Sequence, residues 1–283
     1  MECREKSEFK PRCLRWIRVL IAGVSLAAMT ALFVFPFRRV VSCFGGLPEI
    51  QLVSAIATGA VMTLVVLLVL TIVFGRVYCS VVCPLGVAQD FFRYVLTLGF
   101  LRRKQSLRAC RISDSGLWII RSAFLICFVA FVFCGLTALL EPYGIFGRTA
   151  TSVREFLGWM LQGRGILGRI ASRLHLKSEM MLPVSASAMI VLSAALIFGA
   201  SLFRARWWCN TVCPIGTLLG IVSRWSIFRV RIHPEKCVGC GLCVKSCEKG
   251  AIVSGTPVRV DNSRCVVCLK CAEACKKGAL KWH

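Results

Sequence analysis

Apolar positions are unevenly distributed along the chain. Four uncharged runs stand out, at residues 19–37, 50–75, 122–140 and 180–203. A helix needs about 20 apolar residues to cross the hydrocarbon of a bilayer. Each run approaches that length, and none has an amphipathic period. One such run could be a buried core helix, but four in a chain of 283 residues predict a bundle of four transmembrane helices. The expected spans are about 17–37, 50–75, 117–140 and 181–203, within a membrane domain covering residues 1–231. Two mixed apolar and basic stretches, 87–103 and 217–231, predict helices lying along the membrane interface. Residues 141–182 read as a long loop opening with Glu141-Pro142-Tyr143, a cap on the third helix that could also hold a quinol headgroup.

Charge sets the orientation. Six Lys/Arg precede the first run and seven lie in 76–111, while loop 38–49 carries two. By the positive-inside rule both termini face the cytoplasm of a bacterial inner membrane that the chain crosses several times. The six basic residues of loop 141–182 oppose this weakly, because long loops are poor topology signals. Val40-Val41-Ser42-Cys43 looks like a lipoprotein cleavage site, but Arg38 and Arg39 interrupt the apolar run before it, so the first helix is expected to be retained. The net charge of +23 flanks apolar runs rather than forming a nucleic-acid patch, so no nucleic-acid partner is expected.

From about residue 232 the composition changes to Gly, Lys and Cys. Here the cysteines run Cys237-x2-Cys240-x2-Cys243-x3-Cys247 and Cys265-x2-Cys268-x2-Cys271-x3-Cys275, every position repeating after 28 residues. This is the spacing of a bacterial two-cluster ferredoxin, in which the fourth cysteine of each motif reaches the other cubane. The expected ligands are Cys237, Cys240, Cys243 and Cys275 for one [4Fe–4S] cluster, and Cys265, Cys268, Cys271 and Cys247 for the other. Zinc sites use ligand pairs rather than four cysteines in so short a run. Residues 232–283 therefore predict an α+β ferredoxin domain. The motif's usual Pro after the fourth cysteine is replaced by Glu248 and Lys276.

The membrane half carries its own repeat. Arg76-Val77-Tyr78-Cys79-Ser80-Val81-Val82-Cys83-Pro84-Leu85-Gly86 is matched by Arg206-Trp207-Trp208-Cys209-Asn210-Thr211-Val212-Cys213-Pro214-Ile215-Gly216. Pro favours the first helical position, which puts Cys83 and Cys213 at helix N-termini, where the dipole favours thiolate. Cys79, Cys83, Cys209 and Cys213 could meet across a pseudo-two-fold axis. Four thiolates suit a further iron–sulfur cluster or copper; they could equally be structural or redox-active thiols without metal.

Together these motifs resemble the NapH/NosR/CcoG-type membrane polyferredoxins, most nearly the NapH type. The resemblance implies an electron carrier between a membrane donor, quinol or a partner subunit, and a reductase or maturation system, rather than a stand-alone enzyme. Two alternatives are a Cu(II) reductase using the Cys-x3-Cys-Pro thiols and a redox-sensing membrane regulator. Residues 229–283 carry eleven Lys/Arg against four Asp/Glu, a face suited to acidic redox partner proteins on the cytoplasmic side. Cys43, Cys127 and Cys134 read as packing residues. Cys3, Cys13 and Cys110 have no assigned role, and His175, His233 and His283 do not form a haem pair.

Overall fold

The computed structural model describes residues 11–35, 40, 42, 45–46, 61–99, 114–134, 141–161, 192, 194–201, 205–253, 255 and 258–282. Helix α1, Pro11–Val34, is followed by α2, Val61–Phe74, the short α3, Val77–Val81, and α4, Pro84–Gly99. Then come α5, Asp114–Phe133, α6, Pro142–Leu161, a helical segment at 194–201, the short α7, Trp207–Thr211, and α8, Pro214–Val222. Among the described residues one helix, Arg12–Val34 with 23 residues, is long and apolar enough to cross a membrane by length and composition; Val61–Phe74 and Gly116–Val132 are shorter apolar helices. Residues 51–60, 135–140 and 181–191, within the other expected spans, lie outside the described residues, as do Cys3, Cys43, Cys110, His175 and His283.

Helices of this half bury little of their apolar surface. On α2 only Leu67 and Thr71 are buried, while Val61, Met62, Val65, Val66, Leu68 and Val69 are exposed. Its core gathers instead around the two cysteine motifs, with Met29, Tyr78, Leu85, Phe146, Ile215 and Leu219 packed about Cys79, Cys83 and Cys213.

Two expectations are corrected. Stretch 217–231 is not one helix: α8 stops at Val222, a 3-10 turn spans Ser223–Trp225, and the chain then becomes extended. It runs beside the end of α2, with Ile227 N donating to Ile72 O at 2.9 Å and Phe228 N to Val73 O at 2.8 Å. The loop expected over 141–182 contains the 20-residue α6, with Pro142 at its first turn. Tyr143 and Phe146 at its start pack on Phe33 of α1. Three charged side chains, Arg148, Arg154 and Glu155, broke the apolar pattern that reveals helices in sequence.

The C-terminal module is built from β1, Val230–Ile232, helix α9, Leu242–Ser246, β2, Ile252–Val253, β3, Arg259–Val260, helix α10, Lys270–Ala274, and β4, Leu280–Trp282. β1 pairs antiparallel with β4 in the register Val230↔Trp282, and β2 with β3 in the register Ile252↔Val260. Each strand before a motif thus pairs with the strand after the other motif, a pseudo-two-fold arrangement that returns the fourth cysteine of each motif to its counterpart. The module is clamped to the helical half by a cluster of the rings of Phe74, Phe228 and Trp282, with centroids 5.7 to 6.1 Å apart, Phe74 and Phe228 stacked and Trp282 tilted against both.

Candidate metal centres

Strand pairing places the eight module cysteines in two groups. Cys237, Cys240, Cys243 and Cys275 line one cavity. Cys247, Cys265, Cys268 and Cys271 line another. These are the two sets the spacing implies, each with its fourth member contributed from across the module. Backbone amides serve the crossing sulfurs: Ala251 N donates to Cys247 Sγ and Ala279 N to Cys275 Sγ, both at 3.3 Å. Burial raises the thiols of Cys265, up to about 12, and Cys271, and neighbouring cysteines add to the rise. Four soft sulfur donors lining one cavity are the ligand type of a cubane cluster.

The groups differ in surroundings. In the first, the loop turns on Gly239 and Gly241, both with positive φ, while Cys240, Val238 and Leu242 are exposed. In the second, the equivalent positions are Val267 and Leu269, at φ 53° and 60°. A left-handed valine is costly, about 1–3 kcal/mol, and persists only where packing imposes it. Both side chains are buried, and Val267 lies against the Gly75 turn between α2 and α3. The second group therefore faces the helical half and the first faces outward.

The Cys-x3-Cys-Pro repeats also converge. Cys79, Cys83, Cys209 and Cys213 are each 4% exposed, and Cys83, Cys209 and Cys213 each feel others of the set electrostatically. Burial raises Cys83 and Cys213 and pushes Cys209 up to about 11, against the lowering pull of Arg206. Pro214 opens α8 with Cys213 as its N-cap, whose Sγ accepts from Gly216 N at 3.3 Å. Cys209 Sγ lies 3.8 Å from Gln89 Oε1. The repeated arginines cross over. Arg76 donates to Cys209 O at 3.3 Å and Arg206 donates to Cys79 O, so each grips the first cysteine of the other motif. The motif glycines make this possible: a Cβ on Gly86 would stand 2.7 Å from Cys79 O and 3.5 Å from Arg206 Nη1, and one on Gly216 would strike Cys209 O and stand 3.0 Å from Arg76 Nη2. Four buried thiols brought into one region, with Cys213 capping the N-terminus of α8, are the donor type a metal–thiolate centre uses.

Three further residues escaped the sequence reading. Asp90 accepts from Arg206 Nη2 at 2.7 Å and is ion-paired to Lys249 of the module. Burial works to raise the Asp90 carboxyl, but Arg206 and Lys249 together hold it well below the usual carboxylate range. Gln89 is buried beside Cys209. One signal was available: Asp90 is the sole acidic residue in 87–103. At one of the two missing motif prolines, Glu248 pairs with Lys270 at 2.7 Å and approaches Arg93 of α4 at 3.9 Å. Cys13, Cys127 and Cys134 are exposed and join neither group.

This combination of cysteine groups is that of a protein with several iron–sulfur binding motifs. Two family models, each described as a 4Fe-4S binding domain, match the chain. One covers residues 56–108 and 187–233, the paired cysteine motifs; the other covers 230–253 and 258–281, the module. The chain therefore carries two kinds of 4Fe-4S binding domain and is similar to membrane-type polyferredoxins of the NapH-like kind. It is 26% identical to YccM of Escherichia coli, which is named for electron transport, over 72% of this chain and 48% of that one. It is also 26% identical to the methylamine utilization ferredoxin-type protein MauN of Paracoccus denitrificans, over 77% of this chain and 62% of that one. Protein NirI of the same organism is 26% identical over 63% of this chain and 22% of that one. The chain thus spans between about half and three-fifths of the length of the first two relatives. No solved structure matches it.

Proposed function

We propose that the chain is a multi-span protein of the bacterial inner membrane that relays electrons from a membrane donor, quinol or a partner subunit, to a reductase or maturation system on the cytoplasmic side. The observation that carries the reading is the order of the cysteine groups. Cys268 packs on the core around Cys79, Cys83 and Cys213, and Arg76 acts on both Cys209 and Cys265. The outward group of Cys237, Cys240, Cys243 and Cys275 lies beyond. Two [4Fe–4S] clusters held by the module cysteines would supply one-electron chemistry. Cys79, Cys83, Cys209 and Cys213 would hold a third centre, a cluster or copper. The protein fixes the sulfurs, shields the inner groups from water and exposes the outer one to a partner. Exposed apolar side chains along α1, α2 and α5 support a lipid environment, since patches of that extent are rare on soluble monomers.

A Cu(II) reductase is the weaker reading, because four buried thiols offer an incoming ion no open face. A redox-sensing regulator shares the same centres and differs only in lacking steady turnover. The test is metal and sulfide analysis of anaerobically purified full-length protein, with cupric reductase assays beside it. About eight irons and eight sulfides are expected from the module alone. Stoichiometric zinc without labile sulfide overturns the relay, and copper reduction lost in Cys79→Ser would favour the reductase.

A further inference from the structure

The least expected feature of the paired-motif site is its charge. Arg76 is fully buried, yet its hydrogen bonds run only to neutral oxygens: Asn210 Oδ1 at 3.0 Å, Ser263 O at 2.8 Å and Cys209 O at 3.3 Å. Its Nε has no partner, and no carboxylate pairs with it among the described residues. Arg206 is equally buried, and its carboxylate, Asp90, is shared with the almost fully buried Lys249. The N-termini of α4 and α8, beginning at Pro84 and Pro214, add their own positive potential. A buried cation without a counter-charge costs several kcal/mol. So much positive potential beside four sulfurs favours an anion among them.

We propose that Arg76 and Arg206 are the counter-charges of an anionic iron–sulfur centre held by Cys79, Cys83, Cys209 and Cys213, and that Arg76 sets its potential. The inference rests on the reading of those cysteines as a third centre. A cubane with four thiolates is a dianion when oxidised and gains one negative charge with each electron, so a fixed cation beside it favours the reduced form. The crossed geometry makes both arginines positioning residues as well, since each ties its own motif to the other's first cysteine. Arg76 also reaches Ser263 O, two residues from Cys265, and so spans the gap between this centre and the inner module group. Sequence alone shows the arginines only as a recurring letter; their burial and lack of a carboxylate are tertiary facts.

The experiment uses the full-length protein in detergent, purified anaerobically as wild type, Arg76→Gln and Arg76→Lys. Iron and sulfide are counted, and each centre is titrated by dithionite with EPR detection. Wild type should hold about twelve irons, four beyond the module's eight. Arg76→Gln should either lose those four while keeping eight, or keep them with the third centre harder to reduce. In the second case the reduced-to-oxidised ratio at the wild-type midpoint should fall about tenfold, by the Coulomb energy of one near-buried charge. Arg76→Lys, which keeps the charge and loses the fork, should retain iron and midpoint. Unchanged iron and midpoint in Arg76→Gln overturn the inference, as does equal damage in Arg76→Lys and Arg76→Gln, which would make the role purely structural. Only eight irons in wild type would instead overturn the third centre itself.

Discussion

Lys249 of the ferredoxin module is ion-paired with Asp90 of α4, 159 residues earlier in the chain, and the same carboxylate receives Arg206. One acidic side chain thus joins the module, the helix after the first cysteine motif and the arginine of the second. Lys249 follows Cys247 by two residues, so the pair anchors the loop that carries a cysteine of the inner group. Asn210 Nδ2 donates to Lys249 O at 3.3 Å, which fixes the same loop from the second motif.

Asp90→Asn should strand two buried cations. Removing one partner of a buried pair costs about 3–5 kcal/mol, and the lower end is expected because Asp90 keeps 28% of its side chain exposed. Thermal bleaching of cluster absorbance should move to lower temperature. An unchanged midpoint would deny the pair a role in docking.

The same carboxylate fixes a pH response. Its folded pKa is depressed, so its contribution is fully present above the unfolded value of about 3.9 and is lost as pH falls through the folded one. The difference in thermal midpoint between wild type and Asp90→Asn should be flat from about pH 8 to 5 and shrink only below about 4. A difference that disappears near neutrality would place the titrating group elsewhere.

Gly216→Ala and Gly86→Ala should both disturb the paired-motif site, the former more. An added methyl meets backbone in each case, the Cys79 carbonyl at 2.7 Å for Gly86 and the Cys209 carbonyl closer still for Gly216. Backbone cannot swing aside as a flexible side chain can, so about 1–3 kcal/mol or more is expected. Comparing yield and cluster content with Gly23→Ala, whose Cβ meets nothing within 4 Å, checks this.

Cys247→Ser should perturb the cluster of Cys265, Cys268 and Cys271, while Cys275→Ser should perturb that of Cys237, Cys240 and Cys243. EPR spectra of the two variants should differ, with the outward cluster changed only by Cys275→Ser. An outward cluster changed by Cys247→Ser and untouched by Cys275→Ser would show that the cysteines do not cross over.

A reporter fused after residue 282 should be active in the cytoplasm. One fused at Gly165, beyond α6, should report the outer side if four helices cross. A cytoplasmic signal there would mean that α6 itself returns through the bilayer alongside α1.

Spacing marked out the eight module cysteines as candidate ligands because cluster ligation is a local constraint, written as short intervals along the chain. The grouping of Cys247 with Cys265, Cys268 and Cys271, and of Cys275 with Cys237, Cys240 and Cys243, was legible from the two-cluster spacing. Long helices were legible where apolar runs are unbroken, as in α1. α6 was missed because its charges hide its period, and 217–231 was read as helix because the sequence does not show that strand β1 must pair with β4. Glu248 was visible as a departure from the motif, but its pairing with Lys270 and Arg93 was not.

The sequence by itself determined the cysteine spacings, the internal repeats and the change from apolar runs to a cysteine-rich module, because each depends on residues close together in the chain. Only the tertiary structure decided that Arg76 and Arg206 exchange motifs, that Asp90 joins three segments, and that the second cysteine group turns inward on Val267 while the first stays exposed. Those facts depend on burial and on contacts across more than a hundred residues, where electrostatic cost is set by what surrounds a charge and not by its neighbours in sequence.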